Sequence, residues 1–141
     1  MTVIYPELGT GTVAEAMTPG VLSCLPVTPL RVVARMMARH CVHAIVVFET
    51  DDHIHPWGVV SDLDLVSAIG THANAGSVAG SPVLTVTPEL SLEHAAMLLA
   101  ENATSHLLVI AETGLPIGIL STLDIARAFG AEAGPEENGE A

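Results

Sequence analysis

The chain has no lysine. Its cations are four arginines, set against sixteen acidic residues, for a formal net charge of −12 at pH 7. Nucleic-acid recognition draws on cationic groups that neutralise phosphates and release counterions. Nucleic acid is therefore excluded as a partner, and an acidic membrane surface with it. Cysteine appears twice, as Cys24 and Cys41, too few for a disulfide framework, and small core positions are the simplest reading of both. Aromatic residues are Tyr5, Phe48, Trp57 and Phe129 alone. No apolar run approaches the ~18 residues that a membrane span needs. The opening MTVIYPELGTG lacks the basic and apolar regions of a secretory signal. The expected location is the cytoplasm.

What the chain has is apolar bulk and repetition. Half of its 141 residues are hydrophobic, so a core of Val, Leu, Ile, Ala and Met can be buried. The stretch VLSCLPVTPLRVVARMMARHCVHAIVVF from Val21 matches VLTVTPELSLEHAAMLLAENATSHLLVI from Val83 without a gap, at an offset of 62. The offset then falls to 60, because the first half has a longer loop around ETDDHIHPW. TVAEAMTP and SVAGSP open the two halves. Internal self-similarity of this kind marks a duplicated structural unit.

Each half reads alike. An extended piece (21–24, 83–86) precedes a helix (30–40, 91–102). Leu30, Val33, Met36 and Met37 share one face of the first helix, and Leu92, Ala95, Ala96 and Leu99 one face of the second. A β-branched strand follows (44–48, 107–110), then a polar turn, a second strand (57–60, 117–120) and a helix starting near Asp62 or Thr122. The order is β-α-β-β-α, twice, in an α/β protein. The boundaries are 12–70 for the first unit, 71–76 (THANAG) for an aperiodic linker and 77–130 for the second unit. Residues 131–141 form an acidic end, expected to be disordered.

Two copies of one strand-to-helix turn carry the chemistry: GVVSDLDL at 58–65 and GILSTLDI at 118–125. Glycine, serine and aspartate recur at the same offsets. With AMTP, VLSCLPVTPL and VHAIVVF, they resemble the cystathionine-β-synthase (CBS) domain family, in which two such units pair as a Bateman module. The resemblance covers residues ~12–130. It implies two units packed around a pseudo-two-fold axis, with clefts for AMP, ADP, ATP or S-adenosylmethionine. No cofactor is required. The motif hydroxyl and carboxylate would hold ribose and phosphate, which assigns Ser61, Asp64, Ser121, Thr122 and Asp124 to ligand binding. Arg127 joins them as the one basic residue of the second half. The motif departs from the family at Leu63 and Leu123, where a hydroxyl or a basic residue is common.

S-x-x-D at a helix start is also a cap, with serine accepting a first-turn N–H and aspartate complementing the helix dipole. Capping and ligand contact are compatible in one residue. The recurring glycine suggests a close approach of something to the strand. Asp62 would repel a phosphate held by Ser61, so phosphate-bearing ligands are expected mainly at the second copy.

Other clusters read more plainly. Asp51, Asp52, His53 and His55 suit a solvated hairpin tip better than a metal site. His43 and His106, at strand starts, suit partly buried hydrogen-bonding roles. Arg31, Arg35 and Arg39 form a stripe that is either a solvated face or an interface. No catalytic constellation is visible, so the chain is not read as an enzyme. The expected function is a regulatory ligand sensor that forms a homodimer and signals to a separate protein. The alternative is a structural or interaction module with empty pockets, whose main property is dimerisation.

Overall fold

The structure is a computed structural model that describes residues 11–50, 54–80 and 82–132. The elements in chain order are α1 (Val13–Ala16), β1 (Thr18–Pro19), β2 (Ser23–Cys24), α2 (Leu30–His40), β3 (Ala44–Thr50), β4 (Ile54–Ser61) and α3 (Asp62–Ser67). Then come α4 (Ala75–Val78), β5 (Thr85–Val86), α5 (Leu92–Glu101), β6 (His106–Ile110), β7 (Pro116–Ser121) and α6 (Thr122–Glu132). The chain forms two compact units: a middle unit, Val21–Leu84, and a terminal unit that joins Met1–Gly20 to Thr85–Ala141.

Both units use one plan. In the middle unit β2 runs parallel to β3, and β3 pairs antiparallel with β4. In the terminal unit β5 runs parallel to β6, which pairs antiparallel with β7. Each hairpin carries a bulge at the same place. Val47 faces Gly58 but Phe48 faces Pro56; Val109 faces Gly118 but Ile110 faces Pro116. Proline lacks the ladder donor, so Pro56 and Pro116 fit where pairing is interrupted.

The helix faces expected from the apolar period are the buried ones. Val33 and Met37 of α2 pack with Ile45, Val47, Val60 and Ala75. Leu92, Ala95 and Leu99 are the buried residues of α5. Burying a side chain of this size contributes roughly 1.5–3 kcal/mol. The sheet centres, Ile45–Val47 and Leu107–Val109, are wholly buried.

The opening segments differ from the expectation. Asn74 caps α4 through an acceptor bond from the Ser77 N–H, and Ala75 is fully buried. Thr12 and Val13 stand in the same places before and in α1. The match is therefore TVAEAMTP with NAGSVAGS at offset 62, not with SVAGSP. The shared Ser-Val-Ala letters concealed this, because a one-turn helix shows no periodicity. β1 then pairs with β7 (Thr18 to Ile119), while Gly80 bridges Val59 at the equivalent point. Each sequence repeat thus lends its opening residues to the sheet of the other.

This explains the recurring glycine. A Cβ on Gly58 would lie 2.5 Å from the Gly80 carbonyl oxygen, and one on Gly118 would lie 2.7 Å from that of Thr18. The close approach is by the chain itself. Two smaller expectations also change. Cys41 is exposed rather than in the core, in a left-handed conformation (φ 53°) that ends α2. His43 is exposed rather than partly buried. The acidic end beyond Glu132 lies outside the described residues.

Candidate ligand-binding site

Both motif copies fold into the same reciprocal cap. The Ser61 N–H donates to Asp64 Oδ2 at 2.8 Å, and the Asp64 N–H donates to Ser61 Oγ at 3.1 Å. The Ser121 N–H donates to Asp124 Oδ2 at 2.9 Å, and the Asp124 N–H donates to Ser121 Oγ at 3.1 Å. A strand ends on each serine, and the caps satisfy N–H groups that have no partner within the helix.

The surroundings of the two aspartates differ. Asp124 is only 5 % exposed, whereas Asp64 is half-buried. Asp124 Oδ1 lies 3.5 Å from Thr18 Oγ1, which donates to it, and 3.5 Å from Arg127 Nη1. Thr18 arrives on β1 and Arg127 one helical turn along α6. All three line a cavity of about 510 Å³, together with Gly11, Glu15 and Met17. One carboxylate oxygen is thus fixed by the cap, and the other faces two long contacts beside open volume.

Thr122 is not part of this cavity. It lines a smaller one of about 270 Å³, with Ala96, Leu99 and Ile125. Two residues along a helix turns the side chain by ~200°, so Thr122 and Asp124 face apart. Among the expected site residues, Asp124 and Arg127 are brought together in one cavity, next to Ser121. Ser61 and Asp64 are joined to each other in the middle unit.

Asp62 and Thr122 occupy equivalent positions with different partners. Asp62 Oδ2 is 2.9 Å from His43 Nδ1, and Asp62 Oδ1 accepts from the Leu63 N–H. Asp62 is therefore committed to a neighbouring imidazole rather than standing alone beside Ser61. In the terminal unit the Thr122 N–H donates to the Ser105 carbonyl, and Ser105 Oγ contacts His106 Nδ1 at 2.9 Å.

Sequence reasoning missed Thr18 and Glu15. Both reach Asp124's cavity over about a hundred residues of sequence separation, which no local period reports. The signal present was the offset of 62 carried back to Thr12, which aligns α1 and β1 with α4 and Gly80. No cluster of three or more metal-ligating side chains occurs among the described residues. Asp51, Asp52 and His53 of the hairpin tip lie outside them. Burial raises the Cys24 thiol pKa above its ordinary value, and a hydrogen bond with Thr28 opposes this.

The CBS domain profile matches residues 13–71 and again residues 75–131. This chain belongs to the CBS domain family. Its two CBS domains each hold one motif copy, Ser61–Asp64 in the first and Ser121–Asp124 in the second. The CBS domain pair of protein MJ0100, solved with 5′-methylthioadenosine and S-adenosyl-L-methionine, is similar over 88 % of this chain and 99 % of its own, at 17 % identity and a TM-score of 0.78. CBSX2 in complex with AMP is similar over 83 % of this chain and 94 % of its own, at 29 % identity and a TM-score of 0.65. The hexameric CBS-CP12 protein from bloom-forming cyanobacteria is similar over 84 % of this chain and 67 % of its own, at 22 % identity and a TM-score of 0.75. No curated protein matches the chain. No helix among the described residues of this CBS pair is long and apolar enough to cross a membrane.

Proposed function

We propose that this CBS pair is a regulatory module that senses an adenosine-containing ligand (AMP, ADP, ATP or S-adenosylmethionine) and has no catalytic activity of its own. The second motif copy is the principal contact. The observation that carries this is the divided carboxylate of Asp124. Oδ2 holds the cap, while Oδ1 has two contacts of 3.5 Å beside a cavity. A ribose hydroxyl donates well to such an oxygen, and charge-assisted bonds of this kind are shorter and stronger than the contacts they replace. Arg127, with its side chain 68 % exposed, can swing from Asp124 to a phosphate. Glu15 on the cavity wall opposes that charge, which favours ligands with few phosphates or a cationic centre. AMP on a 29 % identical CBS protein supports the ligand class.

The module is further proposed to act as a homodimer on a separate protein. A second reading has its own support. Both caps are complete without a ligand, and no buried side-chain polar atom among the described residues lacks a partner. That fits an interaction module whose pockets stay empty.

Calorimetric titration of AMP, ATP and S-adenosylmethionine into the wild type, Asp64→Ala and Asp124→Asn decides between them. Asp124→Asn keeps a cap acceptor but removes the charge. Its affinity should fall roughly ten- to a hundredfold, the weight of a charged hydrogen bond of about 1.5–3 kcal/mol. Asp64→Ala should lose less. Equal affinities in all three proteins, or no binding heat in any, would leave the interaction module as the function.

A further inference from the structure

One cavity of the middle unit has no part in the motif. It measures about 440 Å³, within the roughly 300–1,000 Å³ of small-molecule sites. The first turns of α2 contribute Leu30 and Ala34, and α3 with the turn after it contributes Leu65, Ala68 and Ile69. Ser61 and Asp64 do not line it. Leu65 lies ~100° around α3 from Asp64, so a different face of the helix is used. The polar side chains of the lining are Arg31, Thr71 and His72. The Thr71 hydroxyl is already engaged: it donates to the Ala68 carbonyl at 2.6 Å and accepts from the Ala73 N–H at 3.2 Å. Arg31 and His72 have no hydrogen-bond or ion-pair partner among the described residues. No acidic side chain lines the cavity, although the chain carries a net charge of −12. The cavity beside Asp124, by contrast, sets Glu15 and Asp124 against one arginine. At the offset of 62 Glu93 takes the place of Arg31, so the terminal unit reverses the sign there.

We propose that this cavity binds an amphipathic monocarboxylate, a short aliphatic acid, as a second ligand at a site separate from the motif cleft. The proposal is independent of the adenosine reading. A small inorganic anion would pair with Arg31 but leave the apolar walls in water. A neutral apolar molecule would cover the walls but leave the guanidinium unused. A polyphosphate carries more charge than one arginine offsets. An aliphatic carboxylate meets both demands. The arginine fork takes both carboxylate oxygens, and His72 is the further polar side chain not yet engaged. The chain of the acid covers Leu30, Leu65 and Ile69, and Ile69, 74 % exposed, has the most apolar surface to lose from water.

The test is titration of the full chain with butanoate, hexanoate and octanoate, followed by backbone amide chemical shifts in NMR. 1-Octanol and octylammonium are the controls for the head group. Shifts should gather at the start of α2 and at residues 65–73. Affinity should rise about two- to fourfold per added methylene, the weight of a buried CH₂. Octanoate should bind more tightly than 1-octanol, and octylammonium least. Arg31→Gln should weaken octanoate about tenfold and leave 1-octanol unchanged. Arg31→Lys, which keeps the charge but not the fork, should fall between. Arg35→Gln, one turn along α2 and outside the lining, should leave octanoate binding as it was. Asp124→Asn should do the same, which separates this site from the nucleotide cleft. Equal affinity for octanoate and octylammonium overturns the carboxylate assignment. An Arg35→Gln loss as large as that of Arg31→Gln overturns the site, since general attraction to the arginines would then suffice. Shifts outside these segments, or none up to the solubility limit of octanoate, overturn the proposal and leave the adenosine reading untouched.

Discussion

Asp64 and Asp124 make the same two cap hydrogen bonds to within 0.1 Å, yet one is half-buried and the other nearly sealed. The difference comes from residues that the motif does not contain. Thr18 and Arg127 contact Asp124, whereas α4 and Gly80 bring no comparable polar group to Asp64 among the described residues. Local sequence specifies the cap, because the donors and acceptors lie within four residues of each other. Distant sequence specifies what else the carboxylate meets. A motif repeated in the chain is therefore not a site repeated in space.

The largest way to disturb this symmetry is at the glycines. Gly58→Ala and Gly118→Ala should each cost about 1–3 kcal/mol, because the added carbon meets a backbone oxygen that cannot yield without moving a strand. Gly58→Ala should be the worse of the two. Its nearest neighbours include the Gly80 backbone and Ala79 Cβ, whereas Gly118 also faces the flexible Met17 thioether. Urea unfolding midpoints measure the order; a cheaper change at Gly58 would show that the segment around Gly80 gives way readily.

Next in size are the caps. Asp64→Ala should destabilise by about 1 kcal/mol, the usual weight of a cap. Asp124→Ala should cost about 2 kcal/mol, since it also leaves the Ser121 N–H without its acceptor in a more enclosed place. Equal thermal shifts for the two variants would mean that the burial of Asp124 adds nothing to its role.

The exchange His43→Ser with Asp62→Thr converts the middle unit's pair into the terminal unit's pattern. Both partners are more than half exposed, so the pair is worth ~0–1 kcal/mol and the melting temperature should barely move. If phosphates reach Ser61, affinity for ATP at the first copy should rise a few-fold, from relief of about 1 kcal/mol of repulsion or less. Calorimetry on an Asp124→Asn background isolates that copy.

The smallest contrast is between the cysteines. Cys41 is exposed and should alkylate with iodoacetamide before Cys24, whose thiol is held back by burial. The raised pKa of Cys24 disfavours its thiolate in the folded state. Stability should therefore be unaffected by this group well below the ordinary thiol value of 9.0 and decline as pH climbs past it. Cys24→Ser should remove that component of the pH profile.

Much of the fold was legible because its elements announce themselves locally. The helix at 30–40 and the helix starts at Asp62 and Thr122 agree with the structure, since apolar period and caps are properties of neighbouring residues. The hairpin strands grew by one to three residues at their ends and the opening strands shrank to Ser23–Cys24 and Thr85–Val86, because pairing rather than composition sets the limit. α1, α4 and β1 were not legible: each is four residues or fewer, too short to show a period.

The sequence by itself determined the duplication, the β-α-β-β-α order and the two capped turns, all of which rest on contacts between near neighbours or on direct repetition. Tertiary structure alone decided which segment each glycine admits and that Asp124 rather than Asp64 is enclosed. Those outcomes depend on segments distant in sequence meeting in one unit: Gly80 at Gly58, and Thr18 at Gly118 and Asp124. Such meetings are set by the packing of whole sheets and helices, and no window of sequence contains them.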